Sequence, residues 1–420
     1  MESYIILSLV LLAVGDVSQV YSQIEDRAAK KLKLYYESEV PLYTDNPNIP
    51  STDSRQTTIP INIAMIDADY WWDEKTKTEK VFVTTPRQKP GTPASLSTIV
   101  YSQENKMQLL APYPSWKEHD IRAGCDSIIS VFRTQVDECG RLWVIDTGIV
   151  DSATAQSRKL CQPKILIYDL KTDKLIGKYE VPNDLLVDQI SLLITIVVDN
   201  RDGDCKNSYA YVADTTGFQI IVFESATGKF WQFKNKYMFP FPEDGTFQIA
   251  GVNFDFMDGI LGMAIGPLYQ GDRTVFFHSL AGRKESYVQT SVLRNSSLSG
   301  DLDSAKQFFY LSSGARPSQS AAEAMTRHGA LIFGLLSENA LACWNKNTPF
   351  RTQNFKKLEK DDVRLQFLSG VKIVNDVLIL VSSRLQNYFI DAVNDEEINY
   401  RVFLASVDQI TKGTKCHKYS

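Results

Sequence analysis

The side chains in this 420-residue sequence with the clearest capacity for chemistry are carboxylates placed at the ends of apolar runs. Asp146 closes the run LWVID, Asp214 closes AYVAD, and Asp258 stands before Gly259 and a further apolar run. Gathered around a common opening, such carboxylates pair with an amine or accept a proton in an isomerisation. A structural role competes with that reading, because Asp is a common turn-former that bonds the nearby backbone. Glu323 is a further candidate for a polar rim. His278 lies within the apolar run VFFHS and is expected as a core residue, while His119, His328 and His417 have no constellation around them. Without a G-x-S-x-G elbow, the serines have no nucleophile geometry to support them. Residues 199–204 (DNRDGD) lack the ligand spacing and the closing Glu of a calcium loop. The six cysteines contain no C-x-x-C pair, so neither a metal site nor a cofactor is expected.

The elements that must position these groups are short and β-rich. Runs such as KVFVTT from Lys80, LWVIDT from Leu142, KILIYDL from Lys164, QIIVFES from Gln219 and VLILVSS from Val377 are rich in Val, Ile, Phe and Tyr. Gly, Pro, Asn or Asp bounds each of them, the pattern of strands separated by turns. Residues 209–213 and 219–224 sit close enough to form a hairpin. Helical periodicity is scarce, residues 320–325 being the best short candidate. Propeller, sandwich and barrel all remain open on this pattern, since no fixed repeat period is visible.

Composition narrows the partners. A net charge of −5 with scattered Lys and Arg disfavours nucleic acid and anionic membrane. Residues 5–14 form an apolar run too short to span a bilayer but suited to a signal-peptide core, with cleavage expected after Ser22. Dispersed cysteines in an even count behind such a segment read as structural disulfides of a secreted, extracellular protein. Asn295-Ser296-Ser297 is a glycosylation sequon. Residues 23–58 are polar and broken by Pro41, Pro47 and Pro50, as in an extended arm. The expected organisation is therefore a signal peptide over 1–22, an arm over 23–58 and one domain over 59–420.

At residues 124–148 (GCDSIISVFRTQVDECGRLWVIDTG) the sequence resembles the yellow/major royal jelly protein family. Further matches run along the chain in family order: VFVTTPRQKPGTPASL at 81–96, LAPYPSW at 110–116, GDC at 203–205 with YVAD at 211–214, and DGILGMA at 258–264. Phe277-His278, TSVLR at 290–294 and CWN at 343–345 complete the series. The resemblance implies an all-β, six-bladed β-propeller whose central channel can hold a small ligand. It also implies a range of roles, from nutritive royal jelly proteins through cuticle pigmentation and dopachrome conversion to salivary binding of biogenic amines. Six cysteines allow fifteen pairings; those expected here are Cys125 with Cys161, Cys139 with Cys205, and Cys343 with Cys416.

In amine-binding members a Thr, an Asn and a Phe on the last blade line the ligand pocket. The corresponding positions here are Ser369, Ser383 and Leu385, so a hydroxyl is kept, an amide is shortened and ring stacking is lost. Arg384 beside them adds a positive charge suited to a carboxylate. The leading expectation is a secreted propeller that binds a catecholamine or melanin precursor in its channel and serves pigmentation. A dopachrome-converting enzyme is the alternative, and a structural or nutritive protein without a ligand is the third reading.

Overall fold

The computed structural model describes residues 31–45, 58–188, 190–201, 205–300, 303 and 305–417. The expected signal peptide over 1–22 lies outside them. Alternating runs of Val, Ile, Phe and Tyr leave each sheet apolar on both faces, so each must stack against neighbours on either side. Radial repetition solves this: six four-stranded antiparallel sheets are formed among the described residues. Their innermost strands are Asp67–Asp73, Val131–Val136, Leu193–Asn200, Ile260–Ile265, Glu323–Met325 and Leu368–Val374, which define blades 1 to 6. Between blades 2 and 3, for example, Trp143, Ile145, Ile165, Ile196, Val212 and Phe223 make one buried cluster. The expected six-bladed propeller is the fold.

Closure uses both ends of the chain. Lys33–Ser38, within the segment expected as an arm, is the outer strand of blade 6 and pairs with Tyr400–Ser406. The ring is thereby fastened by main-chain hydrogen bonds that also cover an edge strand. The propeller thus begins before residue 59. All three expected disulfides are formed, Cys125–Cys161, Cys139–Cys205 and Cys343–Cys416. The second joins the loop after the innermost strand of blade 2 to the loop before Ser208–Asp214 in blade 3, and the third ties the C-terminal segment to blade 5.

A second element also departs from expectation. Residues 320–325 were expected as a short helix, but Glu323–Met325 is a strand. Ala321, Ala322 and Ala324 are buried against the channel wall and its neighbouring cluster, and that packing overrides their helix propensity. Among the described residues no helix is long and apolar enough to cross a membrane.

Candidate functional site

The six innermost strands run the same way along the channel, so their two ends open on different mouths. At the N-terminal ends lies a cavity of about 330 Å³ touched by Ile66, Phe132, Ile194, Asp258, Ala321 and Phe367, one residue from each blade. At the C-terminal ends lies a second cavity of about 420 Å³ reached by Asp137, Val198, Gly266, Arg327 and Asp376. Among the described residues Arg133 is the one that lines both. It is buried, and its Nη2 donates to the Ala321 carbonyl at 3.0 Å and the Ser369 carbonyl at 2.8 Å. Blade 2 is thereby bridged to blades 5 and 6 across the axis, and the guanidinium divides the channel in two.

The first mouth is aromatic. A hairpin, Thr246–Ile249 with Val252–Asp255, carries Phe254 to its rim, and the chain continues through Phe256 to Asp258. The turn needs two left-handed residues, supplied by Ala250 (φ 49°) and Gly251 (φ 85°). The short helix Leu385–Phe389 brings Phe389, which stacks on Phe256 with centroids 4.9 Å apart and 18° between planes. Phe367 and Phe132 line the same wall. Ring stacking, expected to be lost with Leu385, is supplied instead by side chains from the 246–256 hairpin and the 385–389 helix.

Asp258 and Lys89 are two of the charged groups on this wall. Asp258 is half-buried among apolar neighbours, and that desolvation pushes its carboxyl up to about 7. Opposite in kind is Lys89, whose Nζ donates to the Tyr388 carbonyl at 2.9 Å, pairs with Asp391 at 2.5 Å and lies 4.0 Å from the Tyr388 ring centroid. Burial on one side and fixed partners on the other leave a base poised near neutrality and a held cation in one aromatic cavity.

The remaining expected residues divide between wall and scaffold. Ser369 lines the aromatic cavity, and Leu385 is buried in its wall. Ser383 is fully buried, bonds the Ser369 hydroxyl at 3.0 Å and donates to the Met65 carbonyl, without reaching the cavity. Arg384 turns away to pair with Glu397 and lines neither mouth. Asp146 and Asp214 are strand clamps. Asp146 accepts from the backbone N–H groups of Ile129 and Ser130, both at 2.8 Å, and of Gly148 at 3.0 Å. Asp214 accepts from the N–H groups of Leu192 and Gly217 and from Ser191 and Gln219. Their turn-forming chemistry is the one realised. Glu323, expected on a polar rim, is instead buried in the wall behind the second cavity. Asn295 is exposed and caps the turn at Ser296–Leu298.

Sequence reasoning missed Arg133, Phe254, Phe256 and Phe389. The alternation Phe254-x-Phe256 was a visible signal of one-sided presentation, though nothing in it told which side faced the axis.

The second mouth is charged and internally paired. Lys372 bonds Asp67, Arg273 meets Asp199 at 3.0 Å and Arg327 meets Asp376 at 2.6 Å. Asp69 behind it is pushed up to about 6 by burial, and burial raises Glu138 as well.

A family model described as "Major royal jelly protein" matches residues 129–416. The chain belongs to the major royal jelly protein family. Within this family's reach, it is 33% identical over 351 residues to the "Dopaminechrome tautomerase" of Drosophila melanogaster, covering 80% of this chain and 74% of that protein. It is 32% identical over 342 residues to "Protein yellow" of Drosophila melanogaster, where it covers 80% of this chain and 62% of the relative. The chain therefore spans about three-fifths of Protein yellow's length. Among solved structures, this family member is similar to virginiamycin B lyase from Staphylococcus aureus, with a TM-score of 0.42, 13% identity, and coverage of 82% of this chain and 95% of the lyase. A luciferin-regenerating enzyme gives 0.43 at 9% identity, covering 83% of this chain and 94% of that enzyme.

Proposed function

We propose that this protein is a secreted pigment-pathway propeller that takes a small catecholamine-derived quinone into the aromatic mouth and tautomerises it there. The observation that carries the reading is a Phe-walled cavity in which one of the lining carboxyls, Asp258, is held by burial near neutrality. Planar rings stack on such walls. Tautomerisation needs a base to take a proton from a ring carbon and an acid to return one to a quinone oxygen; no electron leaves the molecule. A base poised near the working pH suits the first step. The Lys89 ammonium, held against Tyr388, is the cation available to steady charge developing on oxygen. Likeness to a dopaminechrome tautomerase supports this choice of substrate class.

A binder that does no chemistry is the second reading, favoured by the aromatic wall alone. Dopaminechrome or dopachrome absorbance followed with substoichiometric protein separates the two. Many substrate molecules consumed per chain, falling about 100-fold or more in Asp258→Asn, is the expected result. Decay equal to the protein-free control, with ligand still bound, leaves only the binder. Secretion is tested separately, by N-terminal sequencing of protein from culture medium for a start at Gln23 and by a glycosidase mass shift lost in Asn295→Gln.

A further inference from the structure

A second cluster of titratable groups lies away from the aromatic mouth, between blades 4 and 5. His278 comes from Thr274–Ser279, Glu285 immediately precedes Ser286–Gln289, and Glu323 begins the innermost strand of blade 5. All three are buried, and their ligating atoms lie within 4.8 Å of one another. The room is specific to this residue pattern, since a Cβ on Gly262 would stand 2.2 Å from the His278 ring.

Hydrogen bonding fixes what the imidazole presents. Its Nε2 is 3.1 Å from the Ser320 carbonyl, which can only accept, so Nε2 carries the proton. In the neutral ring Nδ1 therefore offers a lone pair toward Glu323 Oε2 at 3.1 Å and Glu285 Oε2 at 3.4 Å. Three acceptors facing one another repel unless a cation sits among them. Both Glu323 oxygens and Glu285 Oε1 receive no hydrogen bond, although they are buried. Arg316, 2.5 Å from Glu285, is ion-paired with that carboxylate, whereas Arg133 acts on Glu323 only at longer range and without a hydrogen bond to it.

We propose that His278, Glu285 and Glu323 form a binding site for one divalent transition-metal ion, with Zn²⁺ as the best match. Bonds of about 2.0–2.1 Å in a tetrahedron put neighbouring ligand atoms about 3.3–3.4 Å apart, close to the two separations seen. A His whose other nitrogen donates to a backbone carbonyl is the usual form of a metal ligand, because that bond fixes its tautomer and orientation. One nitrogen and two carboxylate oxygens leave a fourth position for water. Glu323 also borders the charged cavity, the side from which an ion would enter. The ion would tie two blades together close to the channel.

The competing occupant is a proton. Burial works against a charged imidazole, but the Glu323 and Glu285 carboxylates still hold His278 above its ordinary range. The experiment uses the full chain, stripped with a chelator and titrated with Zn²⁺ alone, read by calorimetry and by metal content after gel filtration. One ion per chain is expected, with a rise in Tm, and the isosteric variants Glu323→Gln and Glu285→Gln should each lose at least tenfold in affinity. Co²⁺ in place of Zn²⁺ should give tetrahedral visible absorption that Glu323→Gln abolishes. No uptake by the wild type, or uptake equal in Glu323→Gln, overturns the site. So does a Tm indifferent to Zn²⁺ whose pH dependence changes in Glu323→Gln, since the occupant is then the proton.

Discussion

The two mouths of the channel are built from the same six strands, yet they solve opposite problems. At the N-terminal ends the loops deliver Phe254, Phe256 and Phe389 around Asp258 and Lys89. At the C-terminal ends a strand delivers Lys372 and loops deliver Arg273 and Arg327, each already matched to an aspartate. A cavity whose charges are satisfied internally offers a ligand few unpaired groups. One walled by rings, with a desolvated carboxyl at Asp258 among them, could offer both stacking and a base. The contrast teaches that the same six strands can present rings at one end and mutually neutralised charges at the other, according to what the flanking loops carry.

The largest expected effect comes from exchanging carboxyls across that divide. Asp258→Asn should lower turnover by about 100-fold or more, while Glu138→Gln at the charged mouth should leave it within about twofold. The wild-type rate should rise with pH through about 7, because the active form of Asp258 is the carboxylate. A rate independent of pH between 5 and 9, on the order of that window, would remove the base from the mechanism.

Arg133 is what keeps the mouths separate. In Arg133→Met the carbonyls of Ala321 and Ser369 lose their donor, at a cost of about 3 kcal/mol for two buried acceptors of charge-assisted bonds. Chemical denaturation measures that loss. Unchanged stability would mean the guanidinium is a plug and not a brace.

Stacking is the next term. Phe389→Ala removes a ring that stacks on Phe256 and should weaken ligand binding roughly tenfold, about 1.4 kcal/mol. Equal affinity in calorimetry would move the ligand out of this mouth. Asp258→Asn also bears on stability, with a sign fixed by its raised carboxyl. The folded state holds a proton that the unfolded chain releases between about pH 4 and 7, so wild-type stability falls as pH rises through that window. The variant should therefore melt higher than the wild type at pH 8, and the gap should close toward pH 4.

How much of this was legible depended on how local the signal was. Leu142-WVIDT and the hairpin of 209–213 with 219–224 carried their own turn and alternation signals, and the strands formed there. Lys33–Ser38 did not, because its partner Tyr400–Ser406 lies at the far end of the chain and pairing, not pattern, makes it a strand. Asp146, Asp214 and Asp258 look alike in sequence, each at a turn. Only the third lacks backbone donors to its carboxyl and lines a cavity, which is a fact of packing. His278, Glu285 and Glu323 are brought together from two blades, a proximity that no spacing rule encodes.

Arg384 supplies the smallest expected effect and the finest test of the comparison. It follows Ser383 directly, and sequence proximity alone placed it in the ligand site. Its guanidinium instead pairs with Glu397, whose side chain is about half exposed, on the flank of the helix Leu385–Phe389. An ion pair with one solvated partner contributes at most about 1 kcal/mol. Arg384→Ala should then leave turnover and affinity within about twofold and cost less than about 1 kcal/mol in denaturation. A tenfold fall in turnover without loss of stability would show that Arg384 swings toward the cavity when substrate binds. The aromatic mouth would then carry a further cation beside Lys89 and Arg133, and its difference from the charged mouth would be one of degree.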